Sequence, residues 1–192
     1  GSSDKPGLVF LHGTGGHAEA YTRNLGAHAP HFNTYAIDLL GHGYTGKPDY
    51  DYEIARYIDH LLGFIDSIGI DKVSLSGESL GGWIALEMAV RSTRRLASLT
   101  LVGSAGIRIK GQPAADIFIM DPEELTRALL VDETIIDHML NLDLTEEQQD
   151  IQIRNKVSTA RLGWQPRLFD PNLRKWMHRI DVPTHIVWGD SD

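Results

Sequence analysis

In the first half of the chain, short apolar runs alternate with stretches whose apolar residues return every three or four positions. Leu8 to Leu11, Tyr35 to Leu39, Val73 to Ser76 and Leu96 to Val102 are runs of strand length. Between them, Ala18 to Ala29 reads as a helix, and Tyr52 to Ile68 sets Ile54, Tyr57, Ile58, Leu61, Leu62, Ile65 and Ile68 on one helical face. A third helix carries Trp83, Ile84, Leu86, Met88, Ala89 and Val90. Strands alternating with helices predict an α/β protein with a mostly parallel sheet and helices on both faces. Beyond Gly103 the pattern changes. From Ile107 to Ile180 only helical segments are predicted, over Pro122 to Leu130, Asp132 to Leu140, Thr145 to Ala160 and Pro171 to His178. Asp121-Pro122 followed by two glutamates is a helix start, because proline is tolerated at the first position and acids favour the positive end of the helix dipole. Thr145 followed by Glu146 and Glu147 is another. Pro183 leads into a fifth strand, His185 to Trp188. A helical insertion between two parallel strands reads as a lid, so the expected organisation is a core of residues 1–106 and 181–192 with a helical cap over residues 107–180.

Composition narrows the class of function. The 192 residues are 42% hydrophobic and 23% charged, ordinary values for one globular catalytic domain. The net charge of −8, with no basic run longer than Arg94-Arg95, argues against nucleic acid or an anionic membrane as partner. A small-molecule substrate fits better, and a homodimer is compatible with the composition. The chain has no cysteine, which excludes disulfides, thiolate metal sites and a cysteine nucleophile, and leans toward a reducing, cytoplasmic location. The histidines lack metal-ligand spacing, so neither metal nor cofactor is expected. The opening Gly-Ser-Ser-Asp-Lys-Pro-Gly lacks the apolar core of a secretory signal, and Gly1 to Ser3 read as an expression remnant.

One segment carries chemistry. Residues 73 to 83 run from an apolar strand through Gly77-Glu78-Ser79-Leu80-Gly81 into a helix. A serine on such a sharp turn occupies a strained backbone conformation, and the flanking glycines let strand and helix approach. The turn exposes the hydroxyl, and it places the Leu80 amide at a helix N-terminus, where an unpaired N–H can hold a developing oxyanion. Ser79 is therefore the candidate nucleophile.

Four motifs in order resemble the α/β-hydrolase superfamily, and specifically its cap-bearing serine hydrolases, which include esterases and meta-cleavage-product hydrolases. Leu11-His12-Gly13-Thr14-Gly15-Gly16 resembles the family's strand-then-HG loop, and Asp38-Leu39-Leu40-Gly41-His42-Gly43 its D-x-x-G-x-G turn. Gly77 to Gly81 resembles the nucleophile elbow, and Trp188 to Asp192 the loop bearing the triad acid. The resemblance implies that Thr14 or Gly13 offers the second oxyanion N–H, opposite Leu80. It implies Asp192 as the acid, with Asp190 the alternative. Haloalkane dehalogenases and cap-type epoxide hydrolases use aspartate at the elbow; a serine instead suits an acyl-enzyme formed from an ester, a thioester or a vinylogous diketone.

Arg23-Asn24 and Gly81-Gly82-Trp83 are similar to meta-cleavage hydrolases. The loop lacks their proline after Gly15, Glu78 stands where they carry asparagine, and Arg127, Arg154 and Arg161 are available in the cap as counterparts of their cap arginine. The expected activity is hydrolysis of a small hydrophobic carboxylic ester, with carbon–carbon hydrolysis of aromatic meta-cleavage products as the alternative. A non-catalytic ligand-binding protein of the same fold is the reading from another class. Family order places the base histidine after the acid, and none follows Asp192. The expectation is thus an excerpt of a longer hydrolase that retains strands 4-3-5-6-7, lacks the N-terminal strands and the histidine segment, and is inactive alone. His17, Glu78, Phe118 and Trp164 are candidate pocket residues, while His12 and His42 read as loop-shaping.

Overall fold

The computed structural model of the protein describes residues 5–112 and 114–192; the reading of Gly1 to Ser3 lies outside them. Five strands form one sheet: β1 (Gly7–Leu11), β2 (Asn33–Ile37), β3 (Val73–Glu78), β4 (Leu96–Val102) and β5 (Thr184–Val187). All pairings are parallel and the order is β2-β1-β3-β4-β5, the arrangement expected from sequence. Parallel neighbours need crossover connections, which the helices α1 (Thr22–His28), α2 (Ile54–Ser67) and α3 (Leu80–Arg91) supply. Every residue of β1 is buried, as befits a strand near the centre of a sheet covered on both faces.

The core is continuous from sheet to helices. From α2, Tyr57, Ile58, Leu61 and Ile65 are buried, and α3 is buried along nearly its whole length. Each of the larger apolar side chains contributes about 1.5–3 kcal/mol by leaving water. Within α3, Glu87 is only 2% exposed; it pairs with Arg91 and accepts from Trp83 Nε1 at 3.0 Å.

Boundaries moved where side chains capture the backbone. The second strand begins at Asn33 and stops at Ile37, because the Asp38 carboxylate accepts from the Ala18 and Tyr44 amides, at 2.7 and 2.8 Å, and turns the chain. The third extends through Gly77 and Glu78, since its pairing with β4 continues to Val102. The predicted helix over Ala18 to Ala29 splits into a 3-10 turn (Ala18–Tyr21) and α1.

Between β4 and β5 lie α4 (Pro122–Leu129), α5 (Glu133–Leu140), α6 (Glu146–Gly163) and the short α7 (Leu173–Trp176), followed by a 3-10 turn. Both α4 and α6 open with reciprocal capping boxes, Asp121 with Glu124 and Thr145 with Gln148. The buried face of α6 is not an apolar stripe: it consists of Asn155, Ser158, Thr159, Leu162 and Gly163. Leu173 of α7 is fully buried in the main core, and Gly106 bridges Phe169.

Candidate active site

The turn between β3 and α3 puts Ser79 at φ 48° and ψ −111°, a conformation an L-residue adopts only when its surroundings impose it, at a cost of about 1–3 kcal/mol. The surroundings are visible. The Ser79 N–H donates to Val102 O at 3.0 Å, and Ser79 O accepts from the Trp83 and Ala105 amides, each at 3.0 Å. The glycines are required by space: a Cβ on Gly77 would stand 2.4 Å from Gly81 O, and one on Gly81 would stand 2.3 Å from Leu11 O. The Ser79 hydroxyl makes no hydrogen bond among the described residues.

The loop after β1 faces this turn. A Cβ on Gly13 would lie 3.2 Å from the Ser79 Cβ, so only a glycine keeps the two segments this close without displacement. His12 fixes the loop. Its Nε2 accepts from the Leu39 amide at 3.0 Å, which assigns the proton to Nδ1, and Nδ1 donates to Gly13 O at 2.8 Å. The Gly16 N–H donates to the same carbonyl at 3.2 Å. Because the peptide is planar and trans, the Thr14 N–H points away from the side on which Gly13 O is held. Neither that N–H nor the Leu80 N–H has a partner among the described residues.

His42 repeats the pattern one loop away. Its Nδ1 donates to Leu40 O at 3.1 Å and its Nε2 accepts from Thr159 Oγ1 at 3.1 Å. Burial depresses both rings to a pKa of about 4, so both are neutral at pH 7. With both nitrogens engaged, His12 and His42 shape loops, in line with their sequence context.

The remaining candidates divide. Glu78 is exposed overall, yet its carboxyl is turned to the loop: a Cβ on Gly13 would stand 3.6 Å from its Cδ and Oε1. Burial of that head raises its pKa, opposed by a hydrogen bond from the Tyr21 hydroxyl. Tyr21, whose hydroxyl lies 2.9 Å from Leu11 O, was not singled out by sequence because nothing local marks it. Asp192 lies against the end of β4, its Oδ2 3.2 Å from where a Gly103 Cβ would be. Gly103 adjoins Val102, which holds the Ser79 amide, so the loop bearing Asp192 ends one strand over from the serine. Asp190 is exposed in the same loop.

His17 is partly exposed, 3.9 Å from Glu19 and close enough to His12 to disfavour its protonation. Phe118 and Trp164 meet edge to face with centroids 5.5 Å apart, and Arg167 lies over both rings. The structure joins these two to each other; no contact with Ser79 is seen among their interactions.

Sequence reasoning missed the polar stripe of α6. Asn155 Oδ1 accepts from the Gly43 amide at 2.9 Å, and its Nδ2 donates to Gly15 O and Gly16 O at 3.1 and 2.8 Å. Ser158 Oγ donates to Gly41 O at 2.6 Å. The available signal was three small polar residues at i, i+3 and i+4 of a helix, a face that can be buried only against backbone polar groups.

A parallel sheet with a glycine-flanked, strained serine turn after its third strand matches a known architecture. The model of the alpha/beta hydrolase family matches residues 8–192. The chain belongs to the α/β-hydrolase family. Over 96% of its length the chain is 32% identical to 2-hydroxy-6-oxo-6-(2'-aminophenyl)hexa-2,4-dienoic acid hydrolase of Metapseudomonas resinovorans, spanning 67% of that enzyme. It is 31% identical over 77% of its length to 2-hydroxymuconate semialdehyde hydrolase of a Pseudomonas strain, spanning 54% of that relative. Among solved structures it superposes on a serine hydrolase involved in carbazole degradation, at TM-score 0.65 and 28% identity, over 96% of this chain and 71% of that one. Among the described residues, no helix is long and apolar enough to cross a membrane, and no group of three or more metal-ligating side chains occurs.

Proposed function

We propose that this α/β hydrolase acts through Ser79 on an activated carbonyl. The Oγ bonds to the carbonyl carbon while its proton passes to a general base. The Leu80 and Thr14 N–H groups hold the oxyanion, the leaving group departs, and water releases the acyl fragment. The observation that carries this reading is the strained Ser79 turn, with its hydroxyl unengaged and the Gly13 loop pressed against it. Asp192 is assigned as the acid that orients the base. The segment 107–180 is assigned as a cap, seated on the core through α6. Treatment with a fluorophosphonate followed by peptide mass mapping tests the nucleophile: Ser79 should carry the adduct, and modification unaffected by Ser79→Ala would refute the assignment.

Within that chemistry, the substrate class favoured is a 2-hydroxy-6-oxo-dienoate cleaved at a carbon–carbon bond, because the two relatives above are named for such substrates. Ester hydrolysis, expected from sequence, is the second reading. It is favoured by the Glu78 carboxyl beside Gly13, which would face the substrate's own carboxylate. Side-by-side turnover of a dienoate and of nitrophenyl esters decides; exclusive ester turnover would reverse the ranking.

A further inference from the structure

We infer that Asn155 is a positioning residue for the oxyanion side of the Ser79 site: from α6 it latches the Gly13–Gly16 turn so that the Thr14 N–H stays aimed at the nucleophile. This rests on the reading of Ser79 as nucleophile. The turn is built from glycines, and Gly15 has φ +71° with nothing within 4 Å of where its Cβ would be, so the turn has almost no side chains with which to anchor itself. Its carbonyls are held from outside, by an amide that is fully buried. Asn155 has two N–H donors, and both are used, on Gly15 O and Gly16 O; its oxygen takes the Gly43 amide. The Gly16 peptide so fixed sends its N–H to Gly13 O, and that carbonyl sets the direction of the Thr14 N–H.

The neighbouring contacts permit a clean test. Ser158 bonds Gly41 O and Thr159 bonds His42, so α6 stays docked on the second loop when Asn155 is altered. In Asn155→Ala the Gly15 and Gly16 carbonyls lose their donor. In Asn155→Asp one carboxylate oxygen can still accept from Gly43, while the other faces two carbonyls and can donate to one only when protonated.

The experiment measures fluorophosphonate modification of Ser79, which passes through a phosphorane oxyanion, together with amide hydrogen exchange at Gly16. Wild type, Asn155→Ala, Asn155→Asp and Ser158→Ala are compared. Loss of an oriented oxyanion donor slows such a step by about 10²-fold, and this is expected for Asn155→Ala, with faster exchange at Gly16. Asn155→Asp should recover relative to wild type as pH falls. Ser158→Ala, which breaks a docking bond without touching the turn, should change labelling far less. Equal slowing in Asn155→Ala and Ser158→Ala would reduce Asn155 to a docking residue and overturn the inference, as would unchanged labelling and exchange in Asn155→Ala. Because no described imidazole is bonded to Ser79 Oγ, labelling is slow in all variants and is followed to completion and compared as ratios to wild type. Absence of Ser79 labelling even at completion, with Gly16 exchange still accelerated, would sink the nucleophile and leave the latch standing.

Discussion

Gly13 and Ser79 lie so close that a Cβ added to the glycine would stand 3.2 Å from the serine Cβ. The two loops that make the candidate site are thus pressed together by the absence of one methyl group. Gly13→Ala is expected to displace Ser79 by a few tenths of an ångström and to lower kcat about tenfold with little loss of stability, since misplacement of reacting groups is costly even when small. Gly81→Ala differs because its Cβ would meet the Leu11 carbonyl, which cannot move aside. A loss of about 3 kcal/mol is expected from overpacking, read as a lowered urea midpoint. Equal stability losses in the two variants would contradict the distinction.

The two buried imidazoles predict acid sensitivity. Their pKa in the folded chain is about 4, below the ordinary 6.5, so the unfolded state binds protons that the folded state refuses. Stability is fully present above about pH 6.5 and falls as pH drops toward 4. The gap corresponds to about 3 kcal/mol per ring as an upper limit, at about 1.36 kcal/mol per pKa unit. Denaturation between pH 4 and 7 should show this slope, and His42→Gln should reduce it; an unchanged slope would disprove the origin.

Glu78 predicts charge selectivity. Its carboxyl lies beside the loop that faces Ser79, and Glu78→Gln should raise kcat/KM for a carboxylate-bearing dienoate relative to a neutral ester of similar size. A ratio unaltered by the substitution would exclude contact between Glu78 and the substrate carboxylate. The same residue contributes a second pH effect. Its folded pKa is raised, so its contribution to stability is lost as pH rises from the ordinary carboxylate range through the folded value. The effect runs opposite to that of the histidines, and Glu78→Gln should abolish it.

Arg91→Ala should destabilise the fold by about 3–5 kcal/mol, the usual consequence of leaving a buried carboxylate without its partner. Glu87 is 2% exposed and would keep only the Trp83 N–H. Glu87→Gln in the Arg91→Ala background should recover part of the loss by removing the stranded charge, and a lack of recovery would argue that packing rather than charge is at stake.

Turnover tests the base. No described imidazole is hydrogen-bonded to Ser79 Oγ, and general-base assistance is worth about 10²–10⁴-fold. The 192-residue chain is therefore expected to hydrolyse nitrophenyl esters slowly. Fast, Ser79-dependent turnover would show that a base assembles on this chain.

Elements written by local periodicity were legible: all five strands, the helix over Tyr52 to Ile68 and the helices between Pro122 and Ala160 fall near their observed bounds. The errors share a cause. The apolar run places Asp38 in a strand, but it turns the chain by binding the amides of Ala18 and Tyr44, one of them 20 residues away. Thr145 and its acids announced a helix start, but the buried face of α6 escaped notice because small polar residues at helical spacing ordinarily signify solvent.

The sequence by itself determined the parallel sheet and the glycine-flanked serine turn, because alternating apolar runs and the need for residues without Cβ are properties of neighbouring positions. Only the tertiary structure decided which nitrogen of His12 carries the proton, where the Glu78 carboxyl turns, and that Asn155 holds the Gly15 and Gly16 carbonyls from 140 and 139 residues away. Those outcomes depend on which buried polar groups meet. A buried polar group must find a partner, but its own sequence neighbourhood does not say where.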